Sequence, residues 1–229
     1  MISHLLAVLA SQLPDRIVFF GGTALARTHL VHGRLSEDLD LIAMPSRASV
    51  VTDLEVALAE GVRREHGRLS WQPRPPAVSS TQPASLRSAD GLVVRVQLLD
   101  RSDVPAWPTE RRRLHQRYSD VPTAALTVLT LESFAASKTA AWHDRHAARD
   151  LYDLWGLAGL GALTEGAAKL FARLGPTGHP PRDWMFRDAP SSQHWLAELA
   201  GQTRLTVQPA EALAVVADAW SRAVADLGG

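Results

Sequence analysis

The order of elements near the start of this chain limits the folds it can adopt. The run Ile17-Val18-Phe19-Phe20 is β-branched and aromatic, which is typical of a buried strand. Gly21-Gly22-Thr23 interrupts it, and Ala24 to Val31 has helical character. After a turn at Gly33, acidic and apolar residues alternate from Asp38 to Ala43, which predicts a second strand. A strand, turn, helix and strand in this order indicate a fold that layers helices on a sheet.

The second strand carries two acids. Alternate side chains of a strand share a face, so Asp38 and Asp40 project together about 6 to 7 Å apart. Two carboxylates this close repel each other, and a Mg²⁺ ion carrying nucleotide phosphates supplies the counter-charge, because hard cations prefer oxygen ligands. The alternative is a pair of solvent-facing acids on an edge strand. The apolar neighbours Leu39, Leu41 and Ile42 favour an interior strand.

The glycine turn lies where a phosphate can bind. Gly21 and Gly22 follow a strand and precede a helix, which lets backbone N–H groups approach a phosphate at the helix N-terminus, with Thr23 as cap or hydroxyl donor. The turn has neither the GxxxxGK[ST] nor the GxGxxG spacing, and a simple tight turn is the alternative. Its position, fifteen residues before the paired aspartates, favours phosphate binding.

Composition narrows the class of protein. With 46% hydrophobic and 21% charged residues among 229, the chain can bury a core in one domain or two small ones. The absence of cysteine removes disulfides, thiolate nucleophiles and thiolate zinc sites, and fits a cytoplasmic protein. We expect neither an export signal nor a membrane span, because Met1 to Pro14 lacks basic residues and no apolar run reaches about 18 residues.

Charge is unevenly spread although the formal net charge is zero. Gly61 to Tyr118 contains eleven arginines and five acids, a local net charge of +6. Such a stretch suits a phosphate-rich partner such as RNA, and a solvated arginine-rich surface from a GC-biased genome is the alternative. Only two of the 24 basic residues are lysines, Lys138 and Lys169, which makes each of them conspicuous.

The remaining pattern divides the chain near residue 120. Val50 to Glu60 predicts an amphipathic helix, and Leu92 to Leu99 a third strand. Trp71 to Ser88 is broken by prolines and predicts an irregular segment or an edge strand. We expect a domain over 1–120 and a helical domain over 121–229, with helices at Leu131 to His143, Ala147 to Gly156, Leu163 to Leu174, Gln193 to Gly201 and Pro209 to Leu227.

Two motifs in this chain resemble those of one protein family. The segment Gly21-Gly22-Thr23-Ala24-Leu25-Ala26, followed by Arg34-x-Ser36-x-Asp38-Leu39-Asp40-Leu41, resembles the GGTAL…RxSxDLDL signature of AbiEii-type nucleotidyltransferase toxins. Downstream, Lys138 precedes Arg145 and the run Arg149-Asp150-Leu151-Tyr152-Asp153-Leu154, which resembles the family's K…R…RDxxDL helical motif. The motifs span Val18 to Trp155, and the tail from Gly156 onward matches neither.

This resemblance implies a fold and a set of site residues. AbiEii/AbiGii-type (MenT-like) toxins belong to the DNA polymerase β-like superfamily, so we expect an α/β (α+β) nucleotidyltransferase fold: a mixed sheet with helices, then a C-terminal helical bundle that completes the active site. The implied metal ligands for Mg²⁺ or Mn²⁺ are Asp38 and Asp40. The implied catalytic residues are Asp38, Asp40, Lys138, Asp150 and Asp153. The implied nucleotide-binding residues are Gly21, Gly22, Thr23, Arg34, Ser36, Lys138 and Arg149.

The helical motif allows two interpretations. Asp150 and Asp153 are three residues apart, and Arg149 and Asp153 four, so they share a helix face. The resemblance implies that an aspartate there orients Lys138, Arg149 or the acceptor. The alternative is a surface pair of Arg149 with Asp153 and a solvated Lys138.

Two further positions stay open between a functional and a structural role. The broad superfamily often has a third carboxylate on the strand after the paired acids, so Asp100 is a candidate metal ligand or base, or alternatively begins the following loop. Ser36 resembles a serine or threonine that relatives keep two residues before the first aspartate. Its phosphorylation is implied as a control in some relatives, since a dianion beside Asp38 and Asp40 repels an incoming nucleotide. A serine in the turn that enters the strand is the alternative.

The resemblance also implies an activity. It predicts transfer of nucleotides from an NTP, with CTP favoured, to the 3′ end of tRNA, which blocks translation, and it predicts a cognate antitoxin protein as partner. Two alternatives remain: nucleotidyl or phosphoryl transfer to a protein or small molecule, and an NTP-binding regulator without transfer.

Overall fold

A computed structural model describes residues 1–225 and 227 and shows two compact units. The first unit holds residues 1–31, 36–104 and 109–128. The second holds residues 32–35, 105–108 and the chain from 129 onward. No helix in the described chain is both long and apolar enough to cross a membrane.

The first unit is built on a seven-stranded mixed sheet. Its strands run in the order β3-β4-β5-β2-β1-β7-β6. They are β1 (Ile17–Phe20), β2 (Leu39–Ala43), β3 (Ser70–Trp71), β4 (Ala84–Arg87), β5 (Val93–Leu99), β6 (Thr109–Arg113) and β7 (Ala125–Leu129). The predicted mixed sheet is thereby confirmed.

Strand β2 is interior, as its apolar residues predict. It pairs antiparallel with β1 and parallel with β5. Leu39 and Leu41 are fully buried, whereas Asp40 between them is partly exposed. Asp38 immediately precedes the strand. This alternation of buried and exposed positions is the period of two that the sequence shows.

Four helices accompany the sheet: α1 (Ile2–Gln12), α2 (Gly21–Thr28), α3 (Arg47–Glu60) and α4 (Arg63–His66). Helix α3 packs on β2 and β5, and α1 packs on α3. Val50, Leu54 and Leu58, each four residues apart, are fully buried on the packed face of α3. This hydrophobic layer fixes the sheet that carries the paired aspartates.

The second unit is a helical bundle of α5 (Leu131–Arg145), α6 (Ala148–Gly159), α7 (Glu165–Leu174), α8 (Ser192–Leu199) and α9 (Pro209–Ala225). Helix α6 packs against α5, α8 and α9. Its Leu151, Leu154 and Leu157 are fully buried, as helical spacing requires. Thr130 caps α5 by accepting a hydrogen bond from the backbone N–H of Ser133 at 3.2 Å.

Several element boundaries differ from the predictions. Helix α2 begins at Gly21 and ends at Thr28, whereas the sequence predicts Ala24 to Val31. Strands β6 and β7 lie in segments for which no strand is expected, and the first unit extends to Val128, past the expected boundary at 120. Helix α9 ends at Ala225, and position 226 of the predicted helix lies outside the described residues.

Candidate active site

Gly21 lies directly beside the side chain of Asp40. Phe20, the last residue of β1, pairs with Asp40 across the antiparallel ladder, so the next residue passes that aspartate closely. Gly21 has a φ of +77°, and a Cβ added there would lie 2.1 Å from Oδ2 of Asp40. Glycine alone combines an accessible left-handed backbone with the absence of a side chain. The glycine turn is therefore required for the approach of α2 to Asp40.

Helix α2 begins at the same point. Within the described chain its first turn has neither a side-chain cap nor an acidic residue, which leaves its first N–H groups for water or an anion. Thr23 is fully buried and donates from Oγ1 to Oγ of Ser36 at 2.9 Å. The structure thus brings Gly21, Thr23, Ser36 and Asp40 together.

Asp38 and Asp40 offer the donor set that Mg²⁺ prefers. Both are partly exposed, and strand alternation places them on one side of the chain. Over the residues that the structure describes, no three histidine, aspartate or glutamate side chains gather into a metal site. A metal here would have two carboxylates as protein ligands, which fits an ion that keeps one or two of them and fills its shell with water and phosphate oxygens.

Asp100 is not brought to Asp40. The parallel register pairs Asp40 with Gln97, and Asp100 follows three residues later, about 10 Å farther along the strand direction. Its carboxylate accepts hydrogen bonds from the backbone N–H groups of Ser102 at 3.0 Å and Arg47 at 2.7 Å, which lower the pKa of Asp100. Asp100 therefore caps the turn after β5, as the loop alternative predicts.

Lys138 is buried between two aspartates of the bundle. Its Nζ lies 3.1 Å from Oδ1 of Asp150 and 2.7 Å from Oδ2 of Asp153. Lys138 is 7% exposed, and the aspartates 0% and 3%. The two acids share one face of α6 as their spacing predicts, and the alternative of a solvated Lys138 is wrong.

Two arginines hold the aspartates from the other side. Arg34 donates from Nε and Nη2 to the two oxygens of Asp153, both at 2.9 Å. Arg145 donates to the two oxygens of Asp150, from Nε at 2.6 Å and from Nη2 at 3.0 Å. Such bidentate pairs fix a carboxylate in both position and orientation. Both aspartates are thus held rigidly against Lys138.

This network sets the protonation of its members. Burial disfavours the ammonium of Lys138, but Asp153 and Asp150 outweigh it and raise the pKa of Lys138. Burial likewise opposes ionisation of Asp150, but Lys138 and Arg145 outweigh it and lower the pKa of Asp150. Lys138 is therefore an ammonium at neutral pH. An ammonium has three N–H donors, and the two aspartates receive two of them.

Arg34 and Arg149 differ from the expected pair of nucleotide-binding arginines. Besides Asp153, Arg34 donates from Nη1 to Oε1 of Gln202 at 2.8 Å, so its donors are directed into the second unit. The side chain of Arg149 is 45% exposed, and its Nε lies 3.7 Å from Oε2 of Glu198. The alternative interpretation, a surface pair of Arg149 with Asp153, is wrong, because Arg34 and Lys138 occupy both oxygens of Asp153.

Three residues of these clusters are absent from the predicted site. Arg145 belongs to the helical motif, and its position in that motif could have identified it as a site residue. Gln97 is the strand neighbour of Asp40, and Gln202 lies in the tail without a motif. Gln202 is 168 residues from Arg34, so no local pattern predicts their contact.

The sequence profile of one family matches residues 4–227 of this chain. That family is described as nucleotidyl transferase AbiEii toxin, of a type IV toxin–antitoxin system. The chain belongs to the AbiEii family. It is therefore a nucleotidyltransferase and a toxin of a type IV toxin–antitoxin system, which implies an antitoxin partner.

The solved structure of a nucleotidyltransferase toxin agrees with this assignment. The AbiEii chain is similar to MenT4, a nucleotidyltransferase toxin from Mycobacterium tuberculosis, with 25% identity over 97% of this chain and 81% of that chain and a TM-score of 0.69. It also matches an antigenic nucleotidyltransferase-like protein from Paracoccidioides brasiliensis, with 16% identity over 69% of this chain and 76% of that chain and a TM-score of 0.41. A search of curated proteins gave no match.

Proposed function

We propose that this AbiEii nucleotidyltransferase transfers nucleotides from an NTP to the 3′ end of tRNA in a Mg²⁺-dependent reaction, and so blocks translation in the cytoplasm. Its family generally uses an NTP and a divalent metal. The observation that carries the proposal is the close approach of Gly21 to Asp40. It sets carboxylates suited to a metal beside helix N–H groups suited to phosphates, and an NTP requires both.

In the first unit, the residues would bind the triphosphate and its metal. Asp38 and Asp40 would be the ligands of Mg²⁺, which neutralises charge at the α-phosphate when bound. The first N–H groups of α2, including that of Thr23, would hold phosphate oxygens. The acceptor hydroxyl attacks the α-phosphorus in line, a new P–O bond forms, the bond to pyrophosphate breaks, and the hydroxyl proton passes to solvent water.

In the second unit, Lys138 would be the phosphate-binding cation. Its third N–H is the donor that we assign to a β- or γ-phosphate oxygen. Asp150 and Asp153 would be positioning residues, because they hold the ammonium charged and fixed. A compact ammonium presents a different geometry from a planar guanidinium fork, which explains a lysine in a chain so rich in arginine.

The acceptor would be recognised by charge. The arginines between Gly61 and Tyr118 can contact backbone phosphates, which position RNA without reading its sequence. This charge distribution favours RNA over a small-molecule acceptor.

The decisive experiment supplies the purified protein with total tRNA, Mg²⁺ and each α-labelled NTP in turn. We expect label in tRNA with one NTP, CTP by family resemblance, and none with the folded Asp38→Ala variant. Label in protein or in a small product would instead establish one of the other acceptors. NTP binding without pyrophosphate release would indicate a regulator.

We further propose that Ser36 is a control point. Its hydroxyl contacts Thr23 in the first turn of α2, so a phosphate there would place negative charge where the triphosphate binds. We expect Ser36→Asp to lower NTP affinity at least about tenfold, and Ser36→Ala to retain most of it. Equilibrium dialysis measures both affinities. If the two variants bind NTP equally well, negative charge at position 36 does not repel the triphosphate and the proposed control by Ser36 is wrong.

A further inference from the structure

A small cavity in the first unit lies beside the C-terminal half of α2. It is lined by Ser3 and Leu6 of α1, by Arg27 of α2 and by the segment Leu114 to Arg117 after β6. Its volume is about 20 Å³, which holds one water-sized group and no nucleoside. His115 and Gln116 are exposed, so the cavity borders solvent.

Two polar side chains at this cavity form no hydrogen bond within the described part of the chain. Arg27 is 6% exposed, and no described residue forms a hydrogen bond or salt bridge with its guanidinium, whose charge is favoured by the Tyr118 phenol. Ser3 is 9% exposed, and its hydroxyl has no hydrogen-bond partner in the same part of the chain. A buried arginine is normally paired, because an unmatched charge or hydroxyl costs free energy. The Ser3 hydroxyl and the Arg27 guanidinium therefore offer hydrogen-bond donors to an anion at this cavity.

A neighbouring guanidinium, that of Arg117, has the same charge as Arg27. Arg117 lines the cavity too, and burial together with Arg117 lowers the pKa of Arg27 to about 10. The Arg27 guanidinium is therefore charged at neutral pH. Like charges this close are mutually destabilising unless an anion lies near them.

We propose that this cavity binds one phosphate group of a polynucleotide strand, namely the acceptor strand. This inference rests on the proposed function. A non-bridging phosphate oxygen fits the volume, with Arg27 and Ser3 as donors and Arg117 as a second positive charge. Tyr118, which is 60% exposed, offers a ring on which an adjoining base can stack.

The position of the cavity favours the acceptor over the NTP. Arg27 follows Gly21, the residue beside Asp40, by six residues of helix α2. This spacing corresponds to about 9 Å along the helix axis. That distance equals the axial length of roughly two to three nucleotides at 3.4 Å each. A strand that ends at the glycine turn would thus present one of its earlier phosphates to Arg27. An acidic side chain of a protein partner would also match the charge of Arg27, but it would bring no nucleobase to stack on the ring of Tyr118.

The test measures binding of a labelled single-stranded RNA of about 12 nucleotides by fluorescence anisotropy, without NTP or metal. We expect Arg27→Gln to raise the Kd about tenfold or more, the usual loss for a charge-assisted contact. Arg173→Gln is the matched control, because Arg173 is an exposed arginine of α7 outside the stretch from Gly61 to Tyr118, and we expect it to change the Kd less than about threefold. Equal losses in the two variants would mean diffuse attraction and would overturn the proposal.

A second measurement controls for folding and for the source of the phosphate. Inorganic phosphate should raise the Tm of the wild-type protein and leave that of Arg27→Gln unchanged. If Arg27→Gln fails to fold, Arg117→Gln replaces it. We then expect the same loss of RNA affinity and the same loss of the phosphate effect on the Tm. A phosphate-dependent Tm without an Arg27-dependent RNA affinity would assign the cavity to free phosphate and refute the polynucleotide.

The same assay separates this inference from the proposed function. RNA binding requires no chemistry, so Asp38→Ala should bind the RNA as the wild type does. Arg27-dependent RNA binding in a protein that transfers no nucleotide to RNA would overturn the proposed function and leave the phosphate site established.

Discussion

At the scale of single residues, the ion network around Lys138 joins parts of the chain that no local pattern connects. The sequence motifs identify Lys138, Asp150 and Asp153, because their spacing on helices is regular. They do not identify the partner of Asp153, since Arg34 is 119 residues away. Helical periodicity predicts which side chains share a face of a helix. It does not predict which residues of a distant segment contact that face.

Arg34 should contribute strongly to stability. Replacing it with methionine leaves the carboxylate of Asp153 buried beside Lys138 alone, and breaking a buried ion pair costs about 3 to 5 kcal/mol. We expect Arg34→Met to lower the free energy of unfolding in urea by about 3 kcal/mol. Arg149→Met, which removes an exposed arginine, should cost less than about 1 kcal/mol. Similar costs for the two variants would contradict a network centred on Arg34.

Asp150 should make the free energy of unfolding depend on pH in the acidic range. Its folded pKa lies below the ordinary value of about 3.9, so its contribution is present above that pH and is lost as the pH falls through the folded pKa. We expect the free energy of unfolding to decrease steeply below about pH 4, and to do so less in Asp150→Asn. The exposed Asp218→Asn is the control and should keep the wild-type slope. Urea titrations at several acidic pH values measure all three slopes.

At the scale of elements, long periodic segments are predicted well and short or charged ones are not. Helices α5 to α9 and strands β1, β2 and β5 lie where apolar periodicity places them. Strand β6 is missed because Thr109–Arg113 is mostly charged, a composition that suits an edge strand as well as a loop. Strand β7 is missed because five residues are too few to distinguish a strand from a buried helix turn.

The strand–turn–helix junction predicts a selective effect of one methyl group. Gly21 and Gly91 both have positive φ, +77° and +88°, but only a Cβ at Gly21 meets another atom, the carboxylate of Asp40. We expect Gly21→Ala to lower the transfer rate about 100-fold or more by displacing Asp40. Gly91→Ala shares the backbone strain and should keep near-normal transfer. Comparable losses in both variants would assign the effect to strain alone.

At the scale of the whole molecule, the second unit is not a continuous piece of sequence. It takes residues 32–35 and 105–108 in addition to the chain from 129, whereas the sequence predicts a single boundary at 120. Short excursions of this kind carry no compositional signal, and Arg34 and Pro108 are recognisable as members of the bundle only from their contacts. The change to helical periodicity in the sequence predicts where the helical bundle begins, but it does not predict that residues 32–35 and 105–108 belong to the same unit.

A fragment of the second unit should therefore be incomplete. A fragment of residues 129–229 lacks Arg34 and also Pro108, whose carbonyl accepts hydrogen bonds from Thr130 at 3.1 Å and Ser133 at 2.8 Å. We expect it to melt at a lower temperature than a fragment of residues 105–229, and both to melt below the full chain. Circular dichroism measures the order of the three Tm values. An equal Tm for the two fragments would show that Pro108 adds nothing.

The two lysines of this chain have opposite surroundings, and the contrast matters for chemical labelling. The side chain of Lys138 is 9% exposed between two carboxylates, whereas that of Lys169 is 64% exposed beside Glu165. Acylating reagents attack neutral, accessible amines, so among side-chain amines they should modify Lys169 and spare Lys138. Because the chain has no cysteine, an introduced thiol would be unique. A fluorophore on Lys169 and another on that thiol could then be attached to one toxin molecule by orthogonal chemistry, with the lysine of the ion network left intact.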